Sequence, residues 1–361
     1  MTNDTMTNDT IESARKVLAD AIAARIFPAA SVEVGASAGA LWREALGTLT
    51  FEDPSRPALE DTPFDLASLT KVIATTSVAM MLVHQDRLRL TDPVAAHVPE
   101  WRGRDREAAT VQDLLEHASG LAARLVDRPP AGRREFEHDI CAMRLEYAPR
   151  TTSVYSDLGF ILLGFLLADC GAASLSEQFD RIMVRLAASS GDRPTFELPI
   201  AARRLAAPTR PMDDDVRRGR SLAGEVHDNY AAALGGAAGH AGLFGTASGV
   251  GAFARAVLRA ARGDATVPPP LSPALVARAV TKSSVPGSSR ALGWDTMLPT
   301  SSCGTRMSAS AFGHVGFTGT SLWIDPARDR YVVLLTNRAC GGGTLDDMRT
   351  VRRAFHDAVA D

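Results

Sequence analysis

The sequence predicts an α+β fold: an antiparallel sheet flanked by helices, assembled from both ends of the chain, with a mainly helical region inserted between its two parts. Three observations predict it. Segments 30–34 and 40–46 near the start read as strands. So do 314–317, 321–324 and 331–336 near the end. Between them, apolar residues recur mostly at helical spacing. The expected organisation is a disordered tail over 1–10, an α/β sandwich region from 11–66 and 240–361, and a helical region over 67–239.

The elements follow in order. Ile11 to Arg25 has helical spacing, and Pro28 stops it. The first two strands flank Gly35-Ala36-Ser37-Ala38-Gly39, which matches the G-x-S-x-G nucleophile elbow of α/β-hydrolases. Too little chain precedes Ser37 to have built the sheet that such an elbow requires, so this is a plain β-hairpin. A helix is expected after Ser68, then a turn at Leu88 to Pro93 into another helix, and a short amphipathic helix from Val111 to His117. Residues 126–135 are rich in Arg and Pro and read as an exposed loop. Tyr155 to Cys170 begins at a Ser/Asp cap and continues as an apolar helix. Residues 176–190 read as helix and 191–220 as irregular, with Asp213 to Asp215 set against Arg217, Arg218 and Arg220 in a solvated loop. The glycine-dense stretch from Gly235 to Thr246 lacks both phosphate-loop patterns. Ser248 is expected to cap a helix through Arg262, Pro268 to Pro270 to form a rigid linker, and Thr344 to Val359 to close the chain as a helix.

Composition narrows the function. The 361 residues are 45% hydrophobic and 22% charged, ordinary for a globular protein. A net charge of −3 without a basic stripe excludes nucleic acid as the expected partner. The longest apolar runs, Val72 to Val83 and Leu158 to Ala168, are shorter than the ~20 residues of a membrane span. Cys141, Cys170, Cys303 and Cys340 fit no zinc spacing and are expected to be reduced thiols, mostly buried. The tail repeats Met-Thr-Asn-Asp-Thr and has no basic or apolar signal region, so a cytoplasmic protein is expected. No metal or cofactor is called for.

The chemistry concentrates at Pro63-Phe64-Asp65-Leu66-Ala67-Ser68-Leu69-Thr70-Lys71. Ser68 and Lys71 stand three apart, on one face of a helix. A serine hydroxyl needs a base to become a nucleophile, and burial among apolar neighbours lowers a lysine's pKa. At a helix start, the Ser68 N–H has no intrahelical acceptor and can hold an oxyanion. Tyr155-Ser156-Asp157 stands at a loop–helix junction. A phenolate beside an ammonium is stabilised, so Tyr155 is a candidate base toward Ser68 and acid toward a leaving group. His314-Val315-Gly316 lies on a strand, where a small Gly316 lets substrate backbone lie alongside and offers an N–H.

Together these pieces resemble the serine β-lactamase and penicillin-binding protein superfamily, most closely its class C branch with the related DD-peptidases and family VIII carboxylesterases. Ser68-Leu69-Thr70-Lys71 matches S-x-x-K, Tyr155-Ser156-Asp157 matches Y-x-N with Asp for Asn, and His314-Val315-Gly316 matches K-T-G in its H-x-G form. The resemblance runs through nearly the whole chain after residue 11. It implies that Ser68 is acylated, that Lys71 and Tyr155 shuttle its proton, that His314 meets substrate or Tyr155, and that the N–H groups of Ser68 and Phe317 form the oxyanion hole. It also implies a site at the junction of the sandwich and the helical region.

The departures bear on substrate. Asp157 replaces an amide that often contacts the substrate, and its charge favours the Lys71 ammonium and hence Tyr155 as base. His314 removes a permanent cation, which argues against an efficient β-lactamase. The expected activity is serine-hydrolase cleavage of a small-molecule ester or amide, foremost of small or medium acyl esters. The alternatives are amidase or D-amino-acid peptidase action, DD-peptidase-like hydrolysis, weak β-lactamase action, acyl transfer, and a non-enzymatic binding or sensor domain. Loops 122–150 and 191–230 are expected to shape the pocket. Oligomeric state is not legible.

Overall fold

A computed structural model describes residues 6–125, 129–186 and 192–360. Its helices are α1 (Asn8–Ala23), α2 (Thr76–His84), α3 (Val111–Leu115), α4 (Arg133–Ala142), α5 (Asp157–Gly171), α6 (Leu175–Leu186), α7 (Ile200–Arg203), α8 (Asn229–Ala233), α9 (Ala247–Ala261), α10 (Pro273–Val280) and α11 (Leu345–Val359). Its strands are β1 (Ala29–Ala36), β2 (Gly39–Gly47), β3 (Phe64–Asp65), β4 (Phe244–Gly245), β5 (Asp295–Thr296), β6 (Phe312–Val315), β7 (Ser321–Asp325) and β8 (Arg330–Thr336).

Six strands form one antiparallel sheet in the order β2-β1-β8-β7-β6-β5. The N-terminal hairpin pairs along β8, so the two chain ends meet in the middle of the sheet. Strand periodicity sorts side chains to two faces. Ala30, Val32 and Val34 of β1 and Val332 and Leu334 of β8 pack with Ala14 and Leu18 of α1 and Met348, Val351 and Phe355 of α11. Tyr331, Val333 and Leu335 face the opposite way, into a larger core shared with α2, α5 and α9. Among the described residues no single helix is long and apolar enough to cross a membrane.

Several local expectations change. The tail is shorter than residues 1–10: Thr7 caps α1 through its side chain, so the helix opens at Asn8, while 1–5 lie outside the described residues. Thr246, not Ser248, caps α9, because its hydroxyl reaches the Gly249 N–H. The segment expected as loop to 135 enters α4 at Arg133, and 126–128 are outside the described residues. Asp215 is buried against Arg217 rather than solvated. After Pro93 only a single 3-10 turn forms. The helix expected over 176–190 ends at Leu186, and 187–190 are not among the described residues. The four cysteines are free thiols, with Cys170 half-buried and the others buried.

Candidate active site

Ser68 and Lys71 sit where a two-stranded ribbon meets a helix. Strand β3 pairs with β4, and the chain then turns at Ala67, a non-glycine residue at φ +48°. The Lys71 N–H bonds the Ser68 carbonyl at 3.0 Å. The backbone then widens into one π turn over Lys71–Thr75 before continuing as α2. Such wide turns recur at functional sites. The geometry brings the Lys71 Nζ within 3.1 Å of the Ser68 Oγ.

Tyr155 arrives from the helical region. Ser156 caps α5 through the Gly159 N–H, and its own N–H donates to His117 Nδ1 at 3.0 Å. This fixes Tyr155 one residue outside the helix, with its hydroxyl 2.7 Å from the Ser68 Oγ. The ring lies between His117 and His314, at centroid separations of 4.6 and 5.9 Å. Two cations face it: Lys71 Nζ at 4.7 Å and the Arg290 guanidinium at 5.1 Å from the ring centre.

Lys71 is fully buried and donates to Ser68, to Asp157 Oδ1 at 2.8 Å and to the His240 carbonyl at 3.1 Å. Burial is the largest single influence and would lower its pKa, but Asp157 and Tyr155 together outweigh it, and the net shift is upward. Asp157 is correspondingly shifted down: burial, the largest influence, works against its charge, and Lys71 and His240 together outweigh it. The pair is therefore an ammonium and a carboxylate. The neutral-lysine base that apolar neighbours suggest is not what this environment favours.

Asp157 itself is fully engaged. Its second oxygen accepts from Arg124 at 3.0 Å, and Arg124 also donates to Asp228 at 3.0 Å and Asn229 at 2.7 Å. Asp228 in turn bonds His240 Nε2 at 2.8 Å. The sequence set Asp157 beside Lys71, where its charge favours the ammonium, and at the substrate; the structure puts one oxygen on Lys71 and the other on Arg124, in a residue that also lines the Ser68 cavity. Arg124, Asp228 and His240 were missed because they join Asp157 only through tertiary contact.

Gly316 also takes a different part. Its N–H bonds the Thr320 carbonyl at 2.8 Å, so it has no N–H left for substrate. A Cβ there would collide with the Thr320 hydroxyl and stand 2.8 Å from the Leu66 carbonyl. Gly316 is required by the close approach of its turn to the Ser68 turn. Phe317 follows it, partly exposed and outside the strand. Among the described residues neither the Ser68 nor the Phe317 N–H has a backbone acceptor, which leaves both free to face an oxyanion. His314 is buried, and its Nδ1 bonds the Val315 carbonyl at 2.8 Å. Among the described residues its Nε2 has no hydrogen-bond partner. Burial, then Arg290 and Lys71, hold its pKa well below the ordinary histidine range, so the ring is neutral at pH 7.

These groups line a cavity of about 380 Å³, with Ser68, Tyr155, His314, Gly316 and Phe317 on its walls. Asp157 and Arg290 line it too, with Arg124 from the first expected pocket loop and Met212, His227 and Asp228 from the second. Position 191 of the second loop is outside the described residues. Ser37 lies elsewhere, at the hairpin turn, with its hydroxyl on Asp329 at 2.8 Å.

The family model for β-lactamase matches residues 14–356. The chain belongs to the β-lactamase family. It is a serine hydrolase of that superfamily, which sets aside the non-enzymatic alternative. A putative D-alanyl-D-alanine carboxypeptidase of Escherichia coli (strain K12) is 29% identical over 326 residues, covering 81% of this chain and 72% of the relative. Two solved structures share the fold. EstCE1, described as a hydrolase with promiscuous acyltransferase activity, superposes with a TM-score of 0.76 at 18% identity, covering 98% of this chain and 99% of its own. A class C β-lactamase from Rhodobacter sphaeroides gives 0.74 at 18% identity, covering 96% and 98%.

Proposed function

We propose that this hydrolase cleaves small and medium acyl esters through a covalent acyl-enzyme on Ser68. The observation that carries the reading is the Ser68 Oγ, held by both Tyr155 and Lys71 on the wall of a cavity. In this scheme Tyr155 reacts as the phenolate, and the Ser68 Oγ attacks the ester carbonyl while its proton passes to the Tyr155 oxygen. Charge on that oxygen is met by the Lys71 ammonium and Arg290. The carbonyl oxygen, now an oxyanion, is received by the N–H groups of Ser68 and Phe317. Tyr155 then gives the proton to the departing alkoxide, leaving an acyl-Ser68 ester. Water repeats the sequence in reverse roles: its proton goes to Tyr155, the acid is released and Ser68 recovers its proton. Asp157 keeps Lys71 charged, and Arg124 holds Asp157 in place. An alkoxide leaves with less help from a general acid than an amine does, which favours esters over amides. Turnover of p-nitrophenyl butyrate with accumulation of butyryl-Ser68 by mass spectrometry tests this reading; neither one appearing would contradict it.

A second reading, amide hydrolysis in substrates with a terminal carboxylate, is favoured by Arg290. Among the described residues its guanidinium meets the Tyr155 ring and no carboxylate, and it lines the cavity. Under this reading Arg290→Gln lowers kcat/KM for a carboxylate-bearing substrate by about 10- to 100-fold more than for the neutral butyrate ester, the scale of a charged hydrogen bond. Equal loss on both substrates would restrict Arg290 to its contact with Tyr155.

A further inference from the structure

Asp65 is buried two residues before the turn that presents Ser68, and the proposed mechanism makes no use of it. Its polar atoms nevertheless reach three segments beside the site. Oδ1 accepts the Ala67 N–H at 2.8 Å and Oδ2 the His227 N–H at 2.6 Å. Its carbonyl accepts the Thr318 hydroxyl at 2.8 Å. Ala67 is the residue at φ +48°, a conformation that an L-residue with a Cβ adopts only against a steric penalty. The His227 ring stacks on Phe317 at 5.4 Å, with 19° between the planes. One residue thus ties the turn before Ser68 to the loop carrying Phe317.

We infer that Asp65 is a positioning residue: its carboxylate holds Ala67 in the left-handed turn and sets the two oxyanion-hole N–H groups relative to each other. The inference rests on the Ser68 reading above. Two N–H donors on two oxygens favour the ionised form, because protonation turns one acceptor into a hydroxyl, a weaker acceptor with a proton of its own to place. Burial, the largest influence, raises the Asp65 pKa to about 6, with the His227 and Ala67 N–H groups pulling the other way. The charged groups facing it are Asp228, which raises it further, and Arg217, which lowers it. The adjoining strand β4 offers only Phe244 and Gly245, and the 316–320 loop contributes the uncharged Thr318. His227 is pushed down to about 4 by burial and stays neutral in this window.

The sign distinguishes positioning from unfolding. A carboxyl whose folded pKa is raised contributes stability at low pH that is lost as pH rises through about 6. Acid therefore strengthens the fold through this group, while it weakens the turn. Loss of activity below pH 6 from Asp65 is not acid unfolding.

The test is kcat/KM for p-nitrophenyl butyrate from pH 5 to 8. The wild type shows an acid limb near pH 6. Asp65→Asn is about 10²-fold slower at pH 7.5, the scale of a 1 Å misplacement, and loses that limb. Adding Ala67→Gly recovers about 10-fold, since glycine holds a positive φ without the Cβ penalty. Should Asp65→Asn fail to fold, Arg217→Gln decides: removing that cation moves the limb to higher pH. A full-rate Asp65→Asn enzyme, an unchanged limb in it, no recovery with Ala67→Gly, or a limb that Arg217→Gln leaves in place or lowers would each overturn the inference while ester turnover persists. A wild type without turnover or Ser68 adduct would contradict the reading of Ser68 instead.

Discussion

Replacing Ser68 by Ala abolishes ester turnover and covalent labelling by a fluorophosphonate while the protein stays folded. The expected loss in kcat is on the order of 10⁴–10⁶, because the nucleophile has no substitute in the cavity. The structure explains why folding survives. Lys71 loses one acceptor but keeps Asp157 and the His240 carbonyl, so its buried charge remains paired. Tyr155 loses its bond to Ser68 at the wall of an open cavity, where water takes over. Each bond is worth about 1 kcal/mol net, so thermal unfolding shifts by a few degrees at most. Turnover in Ser68→Ala close to the wild-type rate would remove the acyl-enzyme mechanism.

The second large effect is at Tyr155. Phenylalanine keeps the ring between His117 and His314 and removes only the hydroxyl 2.7 Å from Ser68. The expected loss is about 10²–10⁴-fold in kcat, the usual scale of a general acid–base group. What remains must be carried by Lys71, whose pKa is raised by Asp157 against the effect of burial. Residual activity in Tyr155→Phe therefore climbs as the solution becomes alkaline and Lys71 surrenders its proton. Stopped-flow rates from pH 7 to 11 check this. An undiminished rate near neutrality would transfer the base role to Lys71 alone.

The parts of the site written as local sequence were legible. Ser68 and Lys71 are one turn apart, and Tyr155 stands at a junction marked by the Ser156 cap, so spacing and capping rules reach them. The N-terminal hairpin and the C-terminal strands were likewise readable, because their burial follows short-range periodicity. What escaped has tertiary causes. The two-residue strands β3, β4 and β5 are too short for any period to show. Arg124, Asp228 and His240 are scattered over loops whose sequence carries no regular pattern, and only folding brings them to Asp157. Gly316 was given to substrate because a glycine on a strand suggests an approaching ligand; what approaches is the backbone before Ser68. Asp65 was visible as a flank of the motif, but its two N–H partners are set by the Ala67 turn and a distant loop.

The most direct measurement of the central claim is peptide mass spectrometry after incubation with a fluorophosphonate, run beside p-nitrophenyl acetate and butyrate turnover. The arrangement of Ser68, Lys71 and Tyr155 predicts one adduct, on Ser68, with turnover of both esters and loss of both signals in Ser68→Ala. An adduct on Ser37, or no adduct and no turnover from the folded protein, would contradict it.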